Sequence, residues 1–471
     1  MPDTRDLVDA ARSHTVGIVG GGIAGLIVAW ECAKVGMTVT LWEAADVGGM
    51  TRLDTVGDTT VDVAAGALTR NAAVDGVLDA FGMTGELVPA ATTARWLLQK
   101  TPLALPESPA LGVPANPFAS EVTSIIGWGG VWRAYLDRLK PVLTIGNAEN
   151  LGELVRERMG AKVRDRLVAP HTRAELRLDP DGVVIDVALP ELNGALTRAG
   201  SLSGGVGLLE QPAPPLGLSG GVGRIAAALR ARIGELGGTV YDHARVTSAR
   251  QTGDEWTLQI ATADAEPGEP AQREATQGDA AHSEATVQHL VIASDERGAR
   301  ELLAAHVVAL PAETATEQTV VTLAVGGVPA QSIRGAGLYA AEGDAAVARV
   351  DHVTAQWPNM PRGSGQEIFR VTIPGHTMAD DRAIEASISA IAAAYAADAR
   401  VLDARVERFL RAQDRAASGH ADRVATIRAS IAKLPQLDVV GAWVAGDGVA
   451  EVVADAIQTA ETIRRRALFA G

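Results

Sequence analysis

Apolar and polar positions first settle into a regular pattern at Thr15. The run Thr15 to Gly20 (TVGIVG) shows no alternation and predicts a short strand covered on both faces, and Ile23 to Val35 carries a helical pattern closed by Gly36. Met37 to Trp42 (MTVTLW) predicts a second strand. Strand, helix and strand in this order imply a parallel pair, because antiparallel neighbours need no helix between them. Ala72 to Phe81 predicts a further helix leading out of this block.

From about Ala94 to Gly217 the texture changes to helices broken by Pro and Gly, with a proline-rich run at Thr101 to Phe118 and a helix expected over Val131 to Leu139. The chain then returns to the first unit through Leu216 to Gly223, a helix over Arg224 to Leu236, and strands near Thr239 and over Arg245 to Ser248. His289 to Ala293 (HLVIA) adds another strand to the same sheet. Between them, Thr262 to Gln288 is acidic and aperiodic, which predicts a solvated hairpin loop. Alternating strands follow from about Thr319 to Ile373, then a helix over Asp381 to Val401. A last strand, Asp438 to Val444, meets a Gly446-Asp447-Gly448 turn and a helix running to about Arg466. The fold class expected is α/β: a split Rossmann-like nucleotide domain from residues 13–93, 216–300 and 430–471. A mainly helical domain, 94–215, is inserted in it, and a mixed α+β domain, 301–429, faces the substrate.

With 471 residues, 47% of them hydrophobic, the chain can bury several cores and a large cofactor. A formal net charge of −15 argues against a nucleic-acid partner, which would need a basic stripe. The single cysteine, Cys32, cannot form an intrachain disulfide and reads as a core thiol on the first helix. Met1 to His14 is polar where a secretion signal would be apolar, so a cytoplasmic location is expected, with peripheral contact at the inner face of the cell membrane left open. His and Cys show no metal-ligand spacing, and no metal is expected.

Chemistry enters at the first turn. Gly20, Gly21, Gly22, Ile23, Ala24 and Gly25 supply G-x-G-x-x-G between the first strand and its helix, where backbone N–H groups can face a pyrophosphate. Glu43 ends the second strand at the offset where a carboxylate can accept hydrogen bonds from ribose hydroxyls. Ala44 follows it, and Gly48-Gly49 comes just beyond.

These elements, taken in order along nearly the whole chain, resemble the flavin-dependent protoporphyrinogen and coproporphyrinogen oxidases of the FAD-binding amine oxidase superfamily. The resemblance runs through Gly48-Gly49, Val61-Asp62-Val63, Arg95-Trp96-Leu97-Leu98, Leu189-Pro190-Glu191-Leu192 and Gly220-Gly221-Val222-Gly223. It continues through Trp357-Pro358, Gly419-His420 and Gly441-Ala442-Trp443. It implies FAD as cofactor, with contacts on Gly20 to Gly25, Glu43, Met50, the loop Ala64, Ala65, Gly66 and Ala67, Val246, and Gly446, Asp447, Gly448 and Val449. It implies a porphyrinogen substrate, coproporphyrinogen III rather than protoporphyrinogen IX, with dioxygen as acceptor and a helical domain that touches membrane in relatives. A homodimer stays open. Arg95 matches a basic position that can pair with a substrate propionate; Arg70, Trp357, Arg370, His420 and Arg423 are further substrate candidates. No catalytic acid or base is assigned.

The chain departs from that family's pattern at Val47, Ala64 and Gln356, and it lacks the Pro-Gln-Tyr expected before Gly419. Two other readings therefore stay open: an amine oxidase or polyene desaturase of the same superfamily, and a flavin-binding relative without turnover.

Overall fold

The computed structural model describes residues 10–139, 149–262, 282–307, 309–329, 334–341, 345–363, 365–395 and 399–469. Strand β1 (Thr15–Val19), helix α1 (Ile23–Ala33) and strand β2 (Thr38–Trp42) form the opening unit. β1 is the middle of a five-stranded parallel sheet ordered Leu437–Val439, His289–Ile292, β1, β2, Thr239–Tyr241. Its strands come from three separate stretches of chain, which makes this unit discontinuous. A central parallel strand is covered on both faces, which accounts for its unbroken apolar run. α1 is apolar nearly all round for the same reason. Its residues Leu26, Ile27 and Val28 pack with Ile225 and Leu229 of the Arg224–Glu235 helix and with Val453, Ala456 and Ile463 of the Val449–Phe469 helix.

A three-stranded antiparallel sheet, 244–252, 255–262 and 282–287, covers one end of this core by placing Trp256, Leu258 and Ile260 against Val19 and Trp42. The acidic stretch expected to loop from Thr262 to Gln288 is thus strand over its last part. Its centre, 263–281, lies outside the described residues. The strand expected over Asp438–Val444 ends at Val439, because Gly441 takes φ +117° and turns the chain into the short helix Ala442–Ala445.

The second large sheet has seven strands, ordered 400–411, 316–326, 366–374, 349–352, 337–340, 95–98 and 103–104. It is antiparallel except where 95–98 runs beside 337–340. Helix Asp380–Tyr395 closes one face, packing Ile391 and Tyr395 against Phe369 and Val371. Residues 95–104, expected in the helical insertion, belong to this sheet instead, since their partner strand lies more than two hundred residues further on. Helix His420–Ile431, most of it expected in the 301–429 domain, packs Ile427 and Ile431 against Ile292 and Trp443 of the nucleotide core.

Helices fill the insertion from Ser120 onward, around Val122, Ile126, Leu154, Leu167 and Leu196. The helix expected over Val131–Leu139 starts earlier, as Ser120–Tyr135 with a kink at Gly127, and finishes as a 3-10 turn, Leu136–Leu139. One side of it meets solvent with Trp128 (63% exposed), Trp132 (56%), Leu136 and Leu139 (76%), and Phe118 lies beside Trp132. Among the described residues no helix is long and apolar enough to cross a membrane.

Candidate dinucleotide site

The site is built at the carboxyl ends of β1 and β2. Gly20 takes φ +112°, and a Cβ there would stand 2.6 Å from the Ala293 and Ser294 backbone, so only glycine lets the chain turn beside the neighbouring strand. A Cβ on Gly25 would overlap the Gly20 carbonyl oxygen, so α1 can approach β1 closely only without it. At Gly22, by contrast, a Cβ would meet nothing within 4 Å. This residue N-caps α1 without a side-chain hydrogen bond, and the first turn of α1 contains no acidic residue. First-turn N–H groups and the positive end of the helix are thus presented to whatever lies in front.

In front lies a cavity of about 950 Å³. Gly20, Gly22, Ile23, Ala24, Glu43, Ala44, Gly48 and Gly49 line one part of it, and Val246 lines the adjoining wall. Met50, Ala65, Asp447 and Val449 also line it. The Glu43 carboxylate accepts hydrogen bonds from Gly21 N–H at 2.6 Å and Ala45 N–H at 2.8 Å, which fixes it at the rim. Gly48 N–H donates to Gly21 O at 2.8 Å, locking the glycine pair beside the first turn. Val47 packs against Gly21, the place of the basic residue expected from the resemblance.

The other expected cofactor contacts are not among the lining residues. Gly21 is held back by Glu43 and Gly25 by the strand; Ala64, Gly66, Ala67, Gly446 and Gly448 do not line the cavity. Gly66 backs onto the Arg370 guanidinium and Gly446 onto Arg415. Several lining residues escaped the sequence reading: Arg245 and Thr247 beside Val246, Ser294 to Gly298 at the start of the Glu296–Leu303 helix, and Arg411 with Ala412. One signal was available for Ser294, which follows a parallel strand at the end where ligands bind such sheets.

The expected substrate residues are not brought together at this cavity. Arg95 is half-buried and donates from Nη1 to Asp351 Oδ1 at 2.7 Å and to Ala336 O at 2.8 Å, with its guanidinium over the Tyr339 ring. Burial would raise the Asp351 carboxyl; Arg349 and Arg95 outweigh it and hold it below its ordinary range. Arg370 shares this region, donating to Asp62 O, and burial lowers its pKa. Burial raises the Asp62 carboxyl, even though Gly223 N–H donates to it at 2.8 Å. Trp357 is half-buried over Gly217, and Gln356 donates to Ala336 O. Arg70 is exposed and bonded to Asp75. Arg423 pairs with Glu296 at 3.1 Å, and His420 beside it is pushed below its ordinary value by burial, then by Arg423 and Arg415.

Among the described residues no group of His, Cys, Asp or Glu is arranged to hold a metal ion. The cavity fits a dinucleotide: an uncapped helix start for the pyrophosphate, a fixed carboxylate at the end of β2, and an orphaned acceptor, Asp447 Oδ1, buried in its wall.

Comparison with known proteins agrees with this geometry. Residues 18–81 match the family model of the NAD(P)-binding Rossmann-like domain. The chain is 32% identical over 168 residues to a coproporphyrinogen III oxidase of Mycobacterium leprae, covering 34% of this chain and 36% of the relative. It is 30% identical over 172 residues to the Bacillus subtilis coproporphyrinogen III oxidase, with the same shares covered. These alignments span about a third of the curated relatives' length. Among solved structures, a provisionally assigned protoporphyrinogen oxidase from Exiguobacterium sp. 255-15 superposes with TM-score 0.80 at 18% identity, over 96% of this chain and 99% of that one. Putrescine oxidase bound to putrescine superposes at 0.59 and 14% identity, over 96% and 98% of the two chains. The fold is shared with these two solved structures over nearly the whole of each chain.

Proposed function

We propose that the chain binds FAD in this cavity and oxidises a porphyrinogen to a porphyrin in haem biosynthesis, with coproporphyrinogen III as substrate and dioxygen as the final acceptor. The carrying observation is the cavity itself: an uncapped α1 start, Glu43 fixed at the rim and an open face at Gly22, on a chain whose curated relatives include two coproporphyrinogen III oxidases. FAD held there would supply two-electron oxidation, three rounds of which convert a porphyrinogen to a porphyrin, with one dioxygen reduced to peroxide in each round. The chain's own part is to seat the adenosine at Glu43, hold the pyrophosphate at the N-terminus of α1, and pack the redox ring between Met50, Ala65 and Val449.

Peripheral membrane contact belongs to the same proposal. Trp128, Trp132, Leu136 and Leu139 present one apolar face with Arg138 exposed beside them, the arrangement of an interfacial helix. A second reading, flavin binding without turnover, is favoured by the commitment of Arg95, Arg370 and Arg423 to internal partners.

The experiment is to saturate the protein with FAD, add coproporphyrinogen III in air, and follow porphyrin fluorescence against a protein-free blank, then repeat with protoporphyrinogen IX. A rate above blank supports the oxidase and ranks the substrates. Bound flavin with no rate on either substrate refutes the porphyrinogen reading in favour of the silent flavoprotein.

A further inference from the structure

We propose that Arg411 is a redox-positioning residue, holding positive charge against the flavin end of the cavity so that the reduced, negatively charged cofactor is favoured. The inference rests on the flavin reading above. Glu43 marks the adenosine end and the start of α1 the pyrophosphate, which leaves the wall at Met50, Ala65, Asp447 and Val449 for the redox ring. Arg411, the last residue of the 400–411 strand, lines the cavity with them.

Its Nη2 lies 2.5 Å from Asp447 Oδ2 and its Nη1 3.3 Å from Met50 Sδ. Arg177 Nη2 reaches the same Asp447 oxygen at 3.0 Å. One carboxylate oxygen is therefore shared by two guanidinium groups. Asp447 is nine-tenths buried, and its other oxygen, Oδ1, has no hydrogen-bond partner, nor has Arg411 Nε. Both atoms are closed off from solvent, so the pairing inside the wall is incompletely satisfied while the guanidinium itself lines the cavity. Asp414, Arg177 and the Arg415–Glu451 pair surround the cluster without lining the cavity, so within this cluster Arg411 is the cation on the cavity side; Arg52, Arg245, Arg297 and Arg408 line other parts of the wall.

Two-electron reduction of a flavin with uptake of one proton adds one negative charge to its ring. A fixed guanidinium in a partly dehydrated wall stabilises that charge more than it stabilises the neutral oxidised ring. Arg411 acts through this difference and takes no proton from the substrate.

The test is the midpoint potential of bound FAD, measured by dye-equilibrated anaerobic reduction, with sulfite affinity of the oxidised flavin as a second readout. R411Q is expected to lose at least tenfold of its preference for reduced over oxidised FAD, a fall of about 30 mV for a two-electron couple, and to bind sulfite correspondingly less. R411K keeps the charge and restores both readouts; D447N removes a negative charge and shifts the potential upward. These last two variants keep the inference testable should R411Q fail to fold. Equal potentials in wild type, R411Q and D447N, all with FAD bound, overturn the inference and leave the flavin reading standing. A wild-type protein that retains no FAD overturns the flavin reading, and the inference falls with it.

Discussion

Gly22→Ala and Gly25→Ala place the same methyl group three residues apart on the opening turn, with opposite expected consequences. At Gly25 the methyl is driven into the Gly20 carbonyl and comes within 3.2 Å of the Ala293 Cβ, so α1 must retreat from β1. Overpacking of this kind costs about 1–3 kcal/mol of fold stability. At Gly22 the methyl meets no protein atom within 4 Å, and the backbone is extended at φ −69°, ψ 177°, which any residue adopts. Glycine is a better N-cap than alanine by less than about 1 kcal/mol. The stiffer unfolded chain returns roughly 0.4–1 kcal/mol, so the folded protein without cofactor is expected to be unchanged. The cost of Gly22→Ala falls on the ligand, because the methyl occupies the space in front of the first-turn N–H groups. Displacing one charge-assisted hydrogen bond to phosphate costs about 1.5–3 kcal/mol, roughly ten- to hundredfold in affinity. The assay pairs urea denaturation of the cofactor-free protein with fluorescence titration of FAD. Gly22→Ala that binds FAD as tightly as wild type would refute the placement of a pyrophosphate at this turn, whatever Gly25→Ala does.

Three other outcomes follow from the same geometry. Arg95→Gln leaves the buried Asp351 with Arg349 alone and is expected to lower the urea midpoint, by part of the ~3–5 kcal/mol that a broken buried pair costs; a raised KM for porphyrinogen at unchanged stability would return Arg95 to the role of substrate anchor. Burial holds His171 and His420 below their ordinary value of 6.5 in the folded protein. Their stabilisation is thus complete above 6.5 and is lost as pH falls through 6.5 toward the folded values, so the urea midpoint should fall between pH 8 and 5.5, less steeply in His171→Gln, with an unchanged midpoint as the refuting result. Trp128→Ser with Trp132→Ser should leave the melting temperature in place, since both side chains are exposed, while abolishing co-sedimentation with anionic phospholipid vesicles. Equal co-sedimentation by the double variant and wild type would remove this face from any membrane role.

The opening unit was legible because its signals are local. Three glycines, an apolar run and a carboxylate fall within thirty residues, and each has a steric or electrostatic reason that neighbouring residues reveal. Gly20 and Gly25 work against atoms a few residues away or on the adjacent strand, and Glu43 binds Gly21 and Ala45. The strand at 95–98 was not legible. Its four residues carry too little alternation to stand out from the surrounding proline-rich stretch, and the edge that accepts them is 337–340. The glycine-driven turn at Gly441 was missed for a different reason: an apolar run of Val439, Val440, Ala442, Trp443 and Val444 looks the same whether the backbone stays extended or coils.

The same distinction separates the two halves of the site. A cradle of backbone and glycine is specified by residues close in sequence, which is why Gly20, Gly22 and Glu43 could be named from the opening unit, whereas Ala64, Gly66, Ala67, Gly446 and Gly448, named from further along the chain, do not line the cavity. A substrate anchor is specified by which charges remain uncompensated after folding, and that depends on pairings across the chain. Arg95 and Asp351 stand 256 positions apart, and Arg370 reaches Asp62 across 308. An arginine that matches a family position therefore says little until its carboxylate partners are located. Arg411 shows the converse: nothing in the run Phe409-Leu410-Arg411-Ala412 separates it from the other arginines of its strand. Only the meeting of that strand's end with Asp447 and Met50 sets its guanidinium on the cavity wall.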